Sequence, residues 1–205
     1  MIAAILAALL AAPPVSDAAR AVVRTIEERH SRAADLRARF VQVYRSGLLG
    51  REVTERGVVS IKQPGRMRWE YKDPEAKTFV SDGTTFYFYV PEDRQVIVRS
   101  QDDQRSLPEL LLSGKGDILG QFHAELLTPP AEGLLRLRLT PREPEPDVER
   151  VTVDVEPTGR VREILVEDAG GNRSRFRFED VRENVGLPDE LFRFEVPPGV
   201  EVIQG

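Results

Sequence analysis

The chain has 205 residues, 40% of them hydrophobic and 31% charged, with a formal net charge of −5. That length supports one large β domain or two small ones, each with a real core. The arginines are scattered among apolar positions and form no basic stripe of the kind nucleic-acid binding needs. The absence of cysteine excludes disulfides, a thiolate nucleophile, a zinc–cysteine site and lipidation of this chain through a cysteine.

Met1 to Ser16 contain no charged side chain, and the run from Ile2 to Ala12 is rich in alanine and leucine. It is too short for a stable membrane anchor but fits the apolar core of a secretory signal, although no basic residue precedes it. Ala11, Ala12 and Ala18 offer small residues for cleavage. The sequence predicts export, with residues 1–18 as signal peptide and 19–205 as a single mature domain.

From Asp17 to His30, Ala19, Val22, Val23 and Ile26 fall at helical spacing while charged residues cover the other side, which predicts an amphipathic helix capped by Ser16 or Asp17, with His30 on its polar side. The period then changes from helical to alternating. Leu36, Ala38, Phe40, Gln42 and Tyr44 alternate with Arg37, Arg39, Val41 and Val43 in a first strand, and a hairpin through Gly47 and Gly50 leads to a second from Thr54 to Lys62.

Arg66-Met67-Arg68-Trp69-Glu70-Tyr71 places every large apolar side chain on one face and every charge on the other, bounded by Pro64 and by Asp73-Pro74. Strands Lys77 to Ser81 and Thr85 to Val90 flank an Asp82-Gly83 hairpin, with Phe86 and Phe88 on one face and Tyr87 and Tyr89 on the other. A short strand Gln95 to Val98 precedes Ser106 to Leu112, a proline-started helical segment stopped by Gly114. A second helical piece, Asp117 to Phe122, comes next. The remainder predicts strands His123–Leu127, Leu134–Thr140, Val148–Val155, Val161–Glu167, Arg173–Val181 and Leu191–Val196. The fold class is mainly β with a helical lid: an unclosed antiparallel barrel of ten or eleven strands, covered by the N-terminal helix and a short central helical insertion.

Chemistry is sparse. The chain has two histidines and no Gly-x-Ser-x-Gly elbow to supply a nucleophile beside one. Gly114-Lys115-Gly116 lacks the frame of a phosphate loop, and Asp102, Asp103 and Asp168 lack calcium-loop spacing. The remaining carboxylates lie on faces expected to be wet, where nothing shifts their pKa. No catalytic residue, metal or cofactor is expected.

Lys62-Gln63-Pro64-Gly65-Arg66-Met67-Arg68-Trp69-Glu70-Tyr71, then Val80-Ser81-Asp82-Gly83 and an aromatic strand ending Tyr89-Val90-Pro91, together resemble the periplasmic outer-membrane lipoprotein carriers of the LolA family. Leu110-Leu111-Leu112 before Gly114-Lys115-Gly116-Asp117, and the terminal Phe192-x-Phe194-x-x-Pro197-x-Gly199-Val200, continue the shared order. The resemblance implies an open barrel whose apolar cavity takes the acyl chains of lipoproteins. It also implies a monomer in the periplasm, receiving cargo from an inner-membrane ABC-type release complex and passing it to an outer-membrane acceptor. Phe40, Met67, Trp69, Phe86, Phe88, Leu110 and Leu111 are the candidate cavity residues. Gln63 stands where the family commonly has an arginine that bonds the lid, and Lys62 beside it points to the opposite strand face. The alternative reading is a lipid- or lipoprotein-sensing regulatory module of the same fold. A lipid-modifying enzyme is disfavoured by the missing histidine and serine geometry.

Overall fold

The Ser16 hydroxyl accepts a hydrogen bond from the Ala19 N–H at 3.2 Å, and helix α1 (Asp17–Arg32) starts there. The computed structural model describes residues 15–100, 111–112 and 117–205. The candidate Leu110, the Gly114-Lys115-Gly116 stretch and Asp102-Asp103 lie outside the described residues. Ala19, Val23, Ile26 and His30 form the buried stripe of α1. His30 is thus not on the polar side but 2% exposed, because it extends the same spacing of three and four residues.

Twelve strands follow in chain order: β1 (Asp35–Arg45), β2 (Glu52–Lys62), β3 (Arg66–Asp73), β4 (Lys77–Ser81), β5 (Thr85–Val90), β6 (Gln95–Ser100), β7 (Phe122–Leu127), β8 (Leu135–Pro141), β9 (Arg150–Val155), β10 (Val161–Glu167), β11 (Arg173–Glu183) and β12 (Glu201–Gln204). Among the described residues they form one sheet in the order β12-β6-β5-β4-β3-β2-β1-β11-β10-β9-β8-β7. Its free edges are β12 and β7, so the sheet is open, as the sequence predicts. Leu111 and Leu112 are helical, and a one-turn helix, Ile118–Gln121, capped by Asp117, leads into β7. The apolar stripe of α1, these helical pieces and the inner residues of β1–β3 and β7–β11 make one core.

The C-terminal segment departs from the expectation. Leu191 to Val196 is not a strand: Asp189–Phe192 is a single 3-10 turn, and the final strand is β12, parallel to β6. Prolines at 188, 197 and 198 bracket the segment and have no N–H to give a ladder. The segment instead crosses the outer face. Lys62 Nζ donates to the Leu187 carbonyl and to Asp189 Oδ1, each at 2.5 Å, Arg66 pairs with Asp189 at 2.7 Å, and Arg68 donates to the Leu191 carbonyl at 3.4 Å. The two cations hold the Asp189 carboxyl below the usual range. Phe194 stacks on Tyr87 with ring centroids 5.2 Å apart. The outer face expected to be wet is therefore covered over β4–β6, where Val80 and Val96 are 0% exposed.

Asp35 anchors the start of this crossing. Its carboxylate accepts the backbone N–H groups of Val185, Gly186 and Leu187 at 2.7, 2.9 and 3.0 Å. Asn184 closes the junction, accepting the Ala34 N–H at 2.8 Å. Asp35→Ala leaves these donors unpaired and is expected to lower the unfolding free energy by about 3 kcal/mol, read as a shift in urea midpoint at constant slope.

Burial lowers the His30 pKa from 6.5 to about 4, opposed by Glu183 and reinforced by Arg29. Neither ring nitrogen has a hydrogen-bond partner among the described residues, and Asp35 lines the small cavity beside the ring. The folded value lies below the unfolded one, so the stability is complete above pH 6.5 and declines as the pH falls toward 4. The loss reaches about 3 kcal/mol. His30→Leu is expected to flatten that acid limb in denaturation series run from neutral pH downward.

Candidate functional site

Strand alternation and register together build the concave face. Ala38↔Val59, Val59↔Trp69, Trp69↔Phe79, Phe79↔Phe88 and Phe88↔Ile97 are successive cross-strand pairs. Five strand boundaries are thus crossed by one apolar row. The adjoining row runs Leu36↔Ile61, Ile61↔Met67, Met67↔Ser81 and Ser81↔Phe86.

Over β1–β3 and β11 this face is closed. Phe40 meets Trp69 and Tyr71 edge-on at centroid distances of 4.9 and 4.8 Å, and Trp69 meets Phe176 and Phe178 at 5.7 and 6.2 Å. Each such pair adds about 1 kcal/mol to the burial itself. A Cβ at Gly57, directly opposite Phe40, would lie 2.7 Å from that ring and 2.1 Å from the Glu70 carbonyl oxygen, so the ring occupies space that only glycine leaves. Leu111 and Leu112 belong to this same core.

Over β4 and β5 the face is less completely buried. Phe79, Phe86 and Phe88 are all half-buried. Phe79 stacks on Phe88 with centroids 4.3 Å apart and planes 14° from parallel, and lies 6.0 Å from Phe86 and 5.6 Å from Tyr71. The Asp82 carboxylate fixes the hairpin between these strands by accepting the N–H groups of Thr84 and Thr85, each at 2.9 Å. Those bonds help to hold it below the usual carboxylate range despite partial burial.

A polar row bounds the apolar face on one side. Tyr71 donates its hydroxyl to Gln42 Oε1 at 2.6 Å, Lys77 Nζ bonds Glu55 Oε1 at 2.5 Å, and the same ammonium lies 4.4 Å from the Tyr71 ring centroid. Burial, and after it the Glu55 charge, raise the Tyr71 pKa far above its ordinary value, so the phenol stays neutral. Glu55, 9% exposed, contradicts the expectation that the carboxylates sit on wet faces. At the other end Gln63 lines a small cavity with His30, Leu36, Ile61 and Leu112. Its backbone bridges Ala34 and Arg66, through N–H to the Ala34 carbonyl at 3.0 Å and from Arg66 to its own carbonyl at 3.2 Å. Lys62 points outward, away from this cavity.

The predicted cavity residues thus divide. Phe40, Met67, Trp69 and Leu111 come together in the closed core, at 1, 3, 5 and 0% exposure, while Phe86 and Phe88 stand on the open flank. Phe79 joins the two groups, and the sequence reading passed over it together with Tyr71, Phe176, Phe178 and Leu112. Phe79 alternates within Lys77–Ser81, a visible signal, but only register places it between Trp69 and Phe88. A groove of about 840 Å³ lies elsewhere, lined largely by charged groups such as Asp154, Glu156, Arg162, Glu163 and Arg177. Its charge makes it a poor host for an acyl chain.

The family described as outer membrane lipoprotein carrier protein LolA matches residues 31–195. The outer-membrane lipoprotein carrier protein of Nitrosospira multiformis is 36% identical over 152 residues, covering 73% of this chain and 72% of the relative. That of Azotobacter vinelandii is 32% identical over 184 residues, with 89% and 87% covered. An uncharacterized conserved protein of Thermus thermophilus shares the fold at a TM-score of 0.61 and 12% identity, over 92% of this chain and 100% of its own. MucB shares it at 0.52 and 16%, over 93% of this chain and 67% of the longer MucB chain. The aromatic concave face, the open sheet and the extent of the family match lead to one conclusion: the chain belongs to the LolA family of outer membrane lipoprotein carriers.

Proposed function

We propose that this protein carries lipoproteins through the periplasm by burying their acyl chains against the concave face. The observation that carries this reading is the apolar row that leaves the closed core at Trp69 and continues, half-buried, through Phe79 and Phe88. The cargo enters along that flank, and the segment bearing Leu110, Leu111 and Leu112 is the lid that yields to it, with Gln63 as its contact. Residues 1–18 direct export. An inner-membrane ABC-type complex loads the monomer, an outer-membrane acceptor unloads it, and the carrier performs no chemistry on its cargo.

Energetics favour partial enclosure. Each buried methylene contributes about 0.8 kcal/mol, so three long acyl chains represent roughly 35 kcal/mol of gross transfer energy. Reversible affinities saturate near about 20 kcal/mol. A carrier that must release therefore benefits from a face that covers the chains incompletely, with few fixed polar contacts.

The two groups of aromatic residues separate site from scaffold. Phe88→Asp, at a half-buried position, is expected to weaken binding of an environment-sensitive fluorescent fatty acid about ten-fold, which is ~1.4 kcal/mol, with the thermal midpoint little changed. Trp69→Ala is expected to cost about 3–5 kcal/mol of stability. A folded Phe88→Asp variant that binds the probe and acylated peptide as the parent does would sink the proposal.

Glutamine has fewer donors than guanidinium and no charge, so its bonds to a lid are weaker. Gln63→Arg is expected to stabilise the closed form by ~1 kcal/mol and to slow exchange of acylated peptide several-fold in stopped-flow displacement. Identical exchange rates would remove position 63 from lid control.

A further inference from the structure

Seven large apolar side chains stand exposed among the described residues, and four of them lie on the β1–β2 hairpin: Tyr44 at 36%, Leu48 at 90%, Leu49 at 67% and Val53 at 45%. Tyr44 and Val53 are a direct cross-strand pair at the base of the turn that carries the two leucines. Neither leucine is needed to make the turn. Its hydrogen bonds run from Gly50 N–H to the Ser46 carbonyl and from Ser46 N–H to the Arg51 carbonyl, both 2.9 Å, and from Leu49 N–H to the Ser46 hydroxyl at 3.2 Å. Residues with polar side chains at 48 and 49 would satisfy them equally, without placing hydrocarbon in water.

The tip is held firmly. Gly47 N–H donates to Asn172 Oδ1 at 3.0 Å, and a Cβ on Gly47 would lie 2.5 Å from the Gly170 carbonyl oxygen. The β10–β11 turn therefore buttresses the β1–β2 turn, and the leucines project from a braced support. Arg45 and Arg51 flank them and enter no ion pair among the described residues. Across the sheet Arg45 faces Arg173 on one side and Glu52 on the other. Arg173 pairs with Glu167 at 2.9 Å, and Asp168 spends its carboxylate on the Asn172 N–H and side-chain amide. Two unpaired guanidiniums against the single carboxylate of Glu52 leave the tip positive on a chain whose net charge is −5.

We propose that this hairpin is a membrane-docking tip: Leu48 and Leu49 insert into the interfacial layer of a bilayer containing anionic phospholipid, and Arg45 and Arg51 take the headgroup phosphates. A convex point with two adjacent leucines suits shallow insertion, because it needs no complementary pocket, and arginines at its base reach phosphate while their stems lie along hydrocarbon. Two leucines give weak, reversible attachment. The hairpin lies beyond the Gln42 and Glu55 row at the end of β1 and β2, so docking turns that end of the concave face toward the lipid. Docking of this kind does not depend on the identity of the cargo.

The test is flotation of the purified full chain with large unilamellar vesicles, of phosphatidylcholine alone or with phosphatidylglycerol added. The parent is expected to float with the phosphatidylglycerol vesicles, less so at high salt. Leu48→Ser with Leu49→Ser is expected to reduce that partition at least ~10-fold, since both positions then lose the apolar area that insertion buries. Arg45→Gln with Arg51→Gln is expected to abolish the preference for the anionic vesicles. Unchanged binding of the fluorescent fatty acid by both double variants would assign the loss to docking and not to the cargo site. Absence of parent binding, or equal flotation of the leucine variant, overturns the proposal. So does concentration-dependent self-association of the parent that the leucine variant abolishes, which would make the patch a contact between copies of this chain.

Discussion

A helix of sixteen residues is about 24 Å long at about 1.5 Å per residue, whereas twelve hydrogen-bonded strands spaced about 4.8 Å apart span roughly 50 Å. One helix of that length cannot cover the whole sheet. β1–β3 and β7–β11 gather around α1 and close a core. Phe86 and Phe88 of β5 stand outside that core, and the row that begins at Ala38 passes through half-buried Phe79 and Phe88. Closed core and half-buried flank are thus one continuous apolar surface.

The half-buried flank is supported from behind. The charged side of the Trp69 strand is employed in holding the C-terminal segment: Lys62 and Arg66 grip Asp189, and Arg68 holds the Leu191 carbonyl. Asp35 fixes the same segment where it leaves β11. The crossing chain buries Val80, Val96, Leu187 and Phe192 as a second apolar layer behind the aromatic flank. Strands packed on both faces yield less than strands wet on one, so Phe79, Phe86 and Phe88 stand on a stiff platform. The same logic separates α1 from a simple cover, because Arg29 grips Glu183 through two bonds of 2.8 Å and Glu27 caps Ile118 at 3.1 Å.

The polar row across β1–β4 adds direction. Desolvating Glu55 and Lys77 is costly, and their mutual bond mainly offsets that cost; the gain is a defined boundary. Trp69, Phe79 and Phe88 lie on the apolar side of that boundary, and Gln42, Glu55, the Tyr71 hydroxyl and Lys77 on the polar side.

Alternation determined a great deal from the sequence alone. Period two fixed which residues of Arg66–Tyr71 and Thr85–Val90 share a face, because successive side chains in a strand must point to opposite sides. The capped apolar stripe marked α1, and the Gln63-to-Tyr71 and Ser81-Asp82-Gly83 motifs carried the family resemblance. Periodicity names a face without saying what lies against it, and that is where tertiary structure decided. His30 carries the same spacing as Ile26 and so could have been read as buried, but only packing shows its ring enclosed without a partner among the described residues. Phe40 and Phe88 alternate identically, yet one is sealed in the core at 1% exposure and the other is half-buried, a difference that only packing decides. The Phe192 and Phe194 alternation suggested a strand, but prolines deny it a ladder, and the parallel pairing of β12 with β6 depends on where the chain is led after Asp35 holds it, a contact between residues about 150 positions apart that no local pattern encodes.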